Sequence, residues 1–210
     1  MEAHHLTGAG KPVPVILDTD IGQDIDDTWA LAMLLGCPQV DLRLIVTDYN
    51  NTPERTRLVA KILDTVGRTD IPIATGVQTG NDPIMQAGWV GDYDLARYPG
   101  VIHEDGIAAL IEAIEAAPVP PVLVTIGPVT NIRAMLDINP GVAEKTRVIA
   151  MAGNLYLHSD ETTRPFPEYN VACDPASFQA LVNAPWPITL SPLDGCGDLT
   201  LTGERYARVR

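Results

Sequence analysis

The chain has 210 residues, 46% apolar and 20% charged, which suits one well-buried globular domain over residues 1–210 rather than a disordered chain. Lys and Arg number 14 against 27 Asp and Glu, and this net charge of −13 argues against nucleic acid or an anionic membrane surface as partner. Cys37, Cys173 and Cys196 are odd in number, widely spaced and match no ligand spacing, so they read as free thiols of a reducing compartment. Residues 1–11 show no basic segment leading into an apolar one, and no apolar run is long enough to span a membrane. A cytoplasmic protein is expected.

Residues 1–12 read as a polar, Gly-rich tail. A first strand is predicted over 13–17, then an acidic loop, then a helix to residue 35 closed by Gly36-Cys37-Pro38. A second strand over 41–47 leads through the polar Asp48-Tyr49-Asn50-Asn51 into a helix over 52–66, whose apolar face holds Leu58, Ile62, Leu63 and Val66. Gly67 ends it, and a short strand is predicted over 71–74. Residues 75–102 carry no regular period and read as loops or a short excursion. A helix over 104–117, a buried strand over 122–126, a helix over 129–136 and a strand over 147–152 follow. A loop spans 155–167, Asp174-Pro175 opens a helix to residue 182, a last strand covers 187–190, and a new helix starts at residue 202.

Strands thus alternate with helices, and the strands are continuously apolar rather than alternating. This predicts an α/β fold, a mainly parallel sheet covered by helices on both faces. Ligands of such sheets bind beyond the carboxyl ends of the strands. Asp18 and Asp20, Asn50, Ile126-Gly127 and Gly153-Asn154 all leave strands at that rim, so a single site is expected there.

The dominant feature is Val15-Ile16-Leu17-Asp18-Thr19-Asp20-Ile21-Gly22-Gln23-Asp24-Ile25-Asp26-Asp27. In a strand, residues two apart face one side, so Asp18 and Asp20 are expected side by side. Gly22 permits a sharp turn, and Asp26 and Asp27 fall where a helix N-terminus favours negative charge. One or two of these aspartates would need no reason beyond capping. Five carboxylates in ten residues call for a positive partner, and a hard, oxygen-seeking cation is the economical one.

Asp-Thr-Asp-Ile-Gly-x-Asp-x-Asp-Asp-x-x-Ala-Leu resembles the N-terminal signature of the nucleoside hydrolases, the inosine–uridine-preferring N-ribohydrolases, with three residues rather than one between Gly22 and the Asp26-Asp27 pair. The likeness recurs in Leu123 to Asn131, in Pro167-Glu168-Tyr169-Asn170 ahead of Asp174-Pro175, and faintly in His103-Glu104-Asp105-Gly106. It implies a Rossmann-like fold and hydrolysis of the N-glycosidic bond of a small nucleoside substrate. It also implies Ca²⁺ held by Asp20, Asp27 and the carbonyl of Ile126, with Asp20 doubling as general base. Asp26, Asn50, Glu168 and Asn170 would hold ribose hydroxyls, His103 would lie near the leaving group, and Asp18 would support the loop from behind; Asp24 receives no role.

Two alternatives stand beside this reading. A strand ending in Asp-x-Asp also resembles haloacid-dehalogenase-type phosphatases, with Asp18 as nucleophile. A non-catalytic nucleoside- or ribose-binding protein is the other. Members of the hydrolase family extend further at the C-terminus, where a His-Asp-Pro segment supplies another Ca²⁺-binding Asp, and this chain has no His-Asp pair. Weakened Ca²⁺ binding and turnover are therefore expected, with a homo-oligomeric contact covering surface that the missing part would bury.

Overall fold

The computed structural model describes residues 11–156, 167–197, 199–200 and 202–209. Most of the loop expected over 155–167, and all but two residues of the expected tail, lie outside the described residues. The elements follow one another as β1 (Val13–Thr19), α1 (Asp26–Gly36), β2 (Val40–Thr47), α2 (Thr52–Val66), β3 (Ile73–Thr75), α3 (Ala87–Val90), β4 (Ile102–His103) and α4 (Gly106–Glu115). Then come β5 (Val122–Thr125), α5 (Thr130–Ile138), β6 (Arg147–Met151), α6 (Tyr169–Cys173), α7 (Pro175–Asn183), β7 (Ile188–Ser191), α8 (Leu193–Cys196) and α9 (Gly203–Val209).

The seven strands form one parallel sheet in the order β4-β3-β2-β1-β5-β6-β7. The chain winds outward from β1 in one direction, returns, and winds outward the other way from β5. The order therefore reverses between β1 and β5, and a crevice opens there at the carboxyl ends. Two cores explain why the strands are apolar throughout. Ile16, Leu44, Leu123 and Val148 pack against α4, α5 and α7 on one face. Val15, Leu17, Ile45 and Ile73 pack against α1 and α2 on the other.

Local chemistry sets the element ends. Asn51 accepts from the Glu54 amide at the start of α2, and Gly67, with φ of 69°, closes it in the left-handed conformation. Asp105 accepts from the Ala108 amide, so α4 begins at Gly106 rather than at residue 104. β3 begins later than expected because Pro72 has no N–H for the ladder, although its carbonyl accepts from Ile45. β1 runs two residues past the expected end, because Asp18 and Thr19 still pair with Val46 and Thr47. The short α6 and α8 went unforeseen, since four or five residues display no period. Among the described residues, no helix is long and apolar enough to cross a membrane.

Candidate active site at the β1/β5 crevice

Strand β1 ends at Thr19, so Asp18 lies inside the strand and Asp20 one residue past it. Asp18 shares the face of Ile16 and is fully buried. Thr125 Oγ1 donates to its Oδ2 at 2.7 Å, and Asn131 Nδ2 donates to its Oδ1 at 2.7 Å. Burial, and then the nearby Asp48, push this carboxyl well above the usual range. Asp18 is thus a buried brace tying β1 to β5 and α5, as expected for a residue supporting the loop. Asp20, two residues on, lies near enough for its charge to raise Asp18 further. The burial of Asp18 counts against the phosphatase alternative: a carboxylate without exposed surface, bonded at both oxygens, cannot reach a phosphorus atom.

Asp20 lies just beyond the strand, 6% exposed. A Cβ placed on Gly127, after β5, would come within 3.1 Å of its Oδ1, so any larger residue there would press on Asp20. Asp27, in the first turn of α1, is 9% exposed and accepts from Thr19 Oγ1, which in turn accepts from the Ile21 amide at 3.1 Å. Thr19 therefore fixes Asp27 to the loop that carries Asp20. Burial, and next the charge of Asp27, push Asp20 up to about 8. Burial likewise pushes Asp27 up to about 6, against the lowering effect of the Thr19 bond. Ile126 donates its amide to the Asp18 carbonyl at 3.0 Å, which brings its own carbonyl to the same crevice.

Asn170 Nδ2 donates to that Ile126 carbonyl and to the carbonyl of Met151, both at 3.1 Å, and so bridges the ends of β5 and β6. Glu168 caps α6, accepting from the amides of Asn170 at 2.7 Å, Val171 at 3.2 Å and Gly153 at 2.9 Å. Asn50 lies in the β2–α2 turn with φ of 56°. Its Nδ2 donates to Asp82 Oδ2, and its Oδ1 accepts from the Asp82 amide. Asp26 and Asp24 are exposed at the start of α1 and just before it. His103 sits on the edge strand β4, three strands from β1, which is roughly 14 Å at the usual strand spacing. The rim thus gathers Asp20, Asp27, Ile126, Glu168 and Asn170, while His103 stays apart.

Residues absent from the expected site also belong to its frame. Arg55 is buried, with Nη2 3.9 Å from Asp20 Oδ2. It follows the buried helical face of Thr52, Val59 and Leu63, a period that could have exposed it. Asp48 accepts from both Thr130 Oγ1 and the Thr130 amide and anchors α5. Tyr49, with φ of 59°, lies near Cys173 at the end of α6, which with burial raises its hydroxyl to about 12. No periodicity signals that meeting of two distant loops.

The donor set at the crevice is all oxygen, which suits a hard cation rather than zinc. Among the described residues, no group of three or more His, Cys, Asp or Glu side chains is arranged to hold a metal. Asp20 and Asp27 supply two carboxylates, and the Ile126 carbonyl keeps a lone pair beside its bond to Asn170. These three are the oxygen donors from which a divalent-cation site could be built.

Comparison with known proteins identifies relatives of the whole fold. The non-specific ribonucleoside hydrolase RihC of Shigella boydii is 32% identical over 206 residues, covering 94% of this chain and 66% of its own length. The inosine-uridine preferring nucleoside hydrolase of Bacillus anthracis shares the fold with a TM-score of 0.75 at 22% identity, covering 90% of this chain and 68% of that one. A plant nucleoside hydrolase gives 0.73 at 26% identity, covering 88% and 61%. The chain thus spans about two thirds of the length of the proteins it matches. The model of the inosine-uridine preferring nucleoside hydrolase family matches residues 15–210, nearly the whole α/β domain with its acidic crevice, and the chain belongs to that family.

Proposed function

We propose that the protein hydrolyses the N-glycosidic bond of ribonucleosides to free base and ribose. The observation that carries this reading is the pair of buried carboxylates, Asp20 and Asp27, at the point where the strand order reverses. Family membership and the hydrolase relatives support it.

In this reading Asp20 takes the proton from the attacking water. With no metal cation beside it, burial raises its carboxyl to about 8, so it can take a proton from water only once it is held ionised. The water oxygen bonds to C1′ through an oxocarbenium-like transition state, the C1′–N bond breaks, and its electron pair leaves on the base. Asp20, Asp27 and the Ile126 carbonyl would hold Ca²⁺, which when bound keeps both carboxylates ionised and acidifies a coordinated water.

The remaining residues orient the ribose. Glu168 accepts three N–H bonds, and a carboxylate offers about four acceptor positions, so one remains for a ribose hydroxyl. Asn170 has its Nδ2 engaged by two carbonyls, which leaves Oδ1 as the atom to accept from a hydroxyl. Asp26 and Asn50 would supply the remaining ribose contacts, Asn50 after release from Asp82. The setting is cytoplasmic, without nucleic acid or membrane as partner. The exposed stripe of Ile25, just before α1, and Trp29 and Met33 on it supports association between copies of the chain.

Incubation with inosine or uridine in millimolar CaCl₂, followed by chromatography of the products, tests the reading. Free base and ribose should appear, and Asp20→Asn should abolish them. Tight inosine binding without turnover would favour a non-catalytic protein. Neither binding nor turnover would sink the reading.

A further inference from the structure

Arg55 is the buried group that the proposed chemistry leaves unused. Its side chain is 1% exposed, on α2 beneath the acidic loop. Nη1 donates to the Ile21 carbonyl at 2.8 Å and Nε to the Tyr49 carbonyl at 3.0 Å. The first acceptor directly follows Asp20 and the second directly precedes Asn50. Both are main-chain atoms of loops that carry site residues, and Tyr49 and Asn50 hold the positive φ angles of a tight turn. The approach to Asp20 is longer, at 3.9 Å. The guanidinium is therefore aimed by two carbonyls and held near the carboxylate without forming a close ion pair. Burying such a charge is costly unless the surroundings need it.

A planar guanidinium can hold two carbonyls in fixed directions at once, which an ammonium cannot. Its charge also lies inside a cluster that would otherwise hold two buried carboxylates with no positive neighbour. The acidic loop can then keep its shape with no metal present, whereas a cation entering at Asp20 meets a like charge a few ångströms away. We propose that Arg55 is a positioning residue: it locks the Asp20 loop to the Asn50 loop, and its fixed charge lowers the affinity of the site for a divalent cation. This inference rests on the cation reading of the crevice.

Titration calorimetry of the 210-residue chain with CaCl₂ alone tests it, on the parent, Arg55→Gln and Arg55→Lys. Removing a unit charge this close should make Arg55→Gln bind Ca²⁺ about tenfold more tightly or better. Arg55→Lys keeps the charge but not the fork, so it should bind within about threefold of the parent while melting at a lower temperature. A purely structural role predicts the opposite sign, since a loosened Asp20 would weaken binding in both variants. Binding by the parent with unchanged or weaker binding by Arg55→Gln overturns the inference and spares the cation reading. No binding by any of the three overturns both. If Arg55→Gln fails to fold alone, 10 mM CaCl₂ must restore its melting transition, and failure to do so overturns the inference.

Discussion

Asn131 offers the sharpest test of how the crevice is braced. Its side chain is fully buried at the start of α5 and makes three bonds to three segments. Nδ2 donates to Asp18 Oδ1 at 2.7 Å and to the Thr47 carbonyl at 3.1 Å, and Oδ1 accepts from the Val77 amide at 2.8 Å. Gly76 packs so closely on it that an added Cβ would lie 2.3 Å from Oδ1. Asn131→Ala removes all three bonds. The Thr47 and Val77 bonds are worth about 1 kcal/mol each. The bond to Asp18 is worth about 1 kcal/mol if the raised carboxyl is neutral and up to about 3 if it is charged. The expected loss is therefore about 3 to 5 kcal/mol, a large share of the roughly 5 to 15 available to a domain. Urea unfolding followed by tryptophan fluorescence measures it, with Trp186 buried in the core as reporter. A loss below about 1 kcal/mol at unchanged slope would refute the claim that these bonds brace the site.

Three further outcomes are expected. Gly127→Ala places a Cβ 3.0 Å from the Asp20 amide and 3.1 Å from its Oδ1; displacing the proposed base should lower kcat about tenfold, and unchanged kcat with a normal fold would contradict that role. Tyr98→Phe removes a buried hydroxyl that has no hydrogen-bond partner among the described residues; a melting curve should show equal or higher stability, by up to about 1 kcal/mol, and a clear loss would reveal a partner. Asp48 is fully buried, and burial raises its carboxyl above the usual range, so the folded state holds its proton longer than the unfolded chain. Its contribution to stability is full below about pH 4 and is lost as pH rises through the raised folded value. Urea midpoints between pH 5 and 8 should consequently fall less steeply in Asp48→Asn than in the parent, and equal slopes would show that Asp48 does not set this dependence.

Much of the frame was legible because it depends on local chemistry. Residues 52–66 form a helix in the sequence and in the structure, because Asn51 and Gly67 cap it and the apolar period runs unbroken between them. Continuous apolar runs foretold strands buried on both faces, and the carboxyl-end rule foretold the rim. Asp20 and Asp27 were legible as candidates because so many carboxylates in one turn demand compensation wherever the chain goes. Tertiary structure alone decided which of them share a place. Asp18, inside β1, is a fully buried brace, whereas Asp20, one residue past its end, keeps a small exposed area at the crevice. The strand order, with its reversal beside β1, depends on pairing between segments far apart in the chain. The same is true of Arg55 beneath Asp20, Asn131 between β1 and the turn after β3, and Tyr49 meeting Cys173. A sequence constrains local conformation through propensities and caps, whereas these contacts exist only once distant segments pack, and packing is where buried charge acquires its partners.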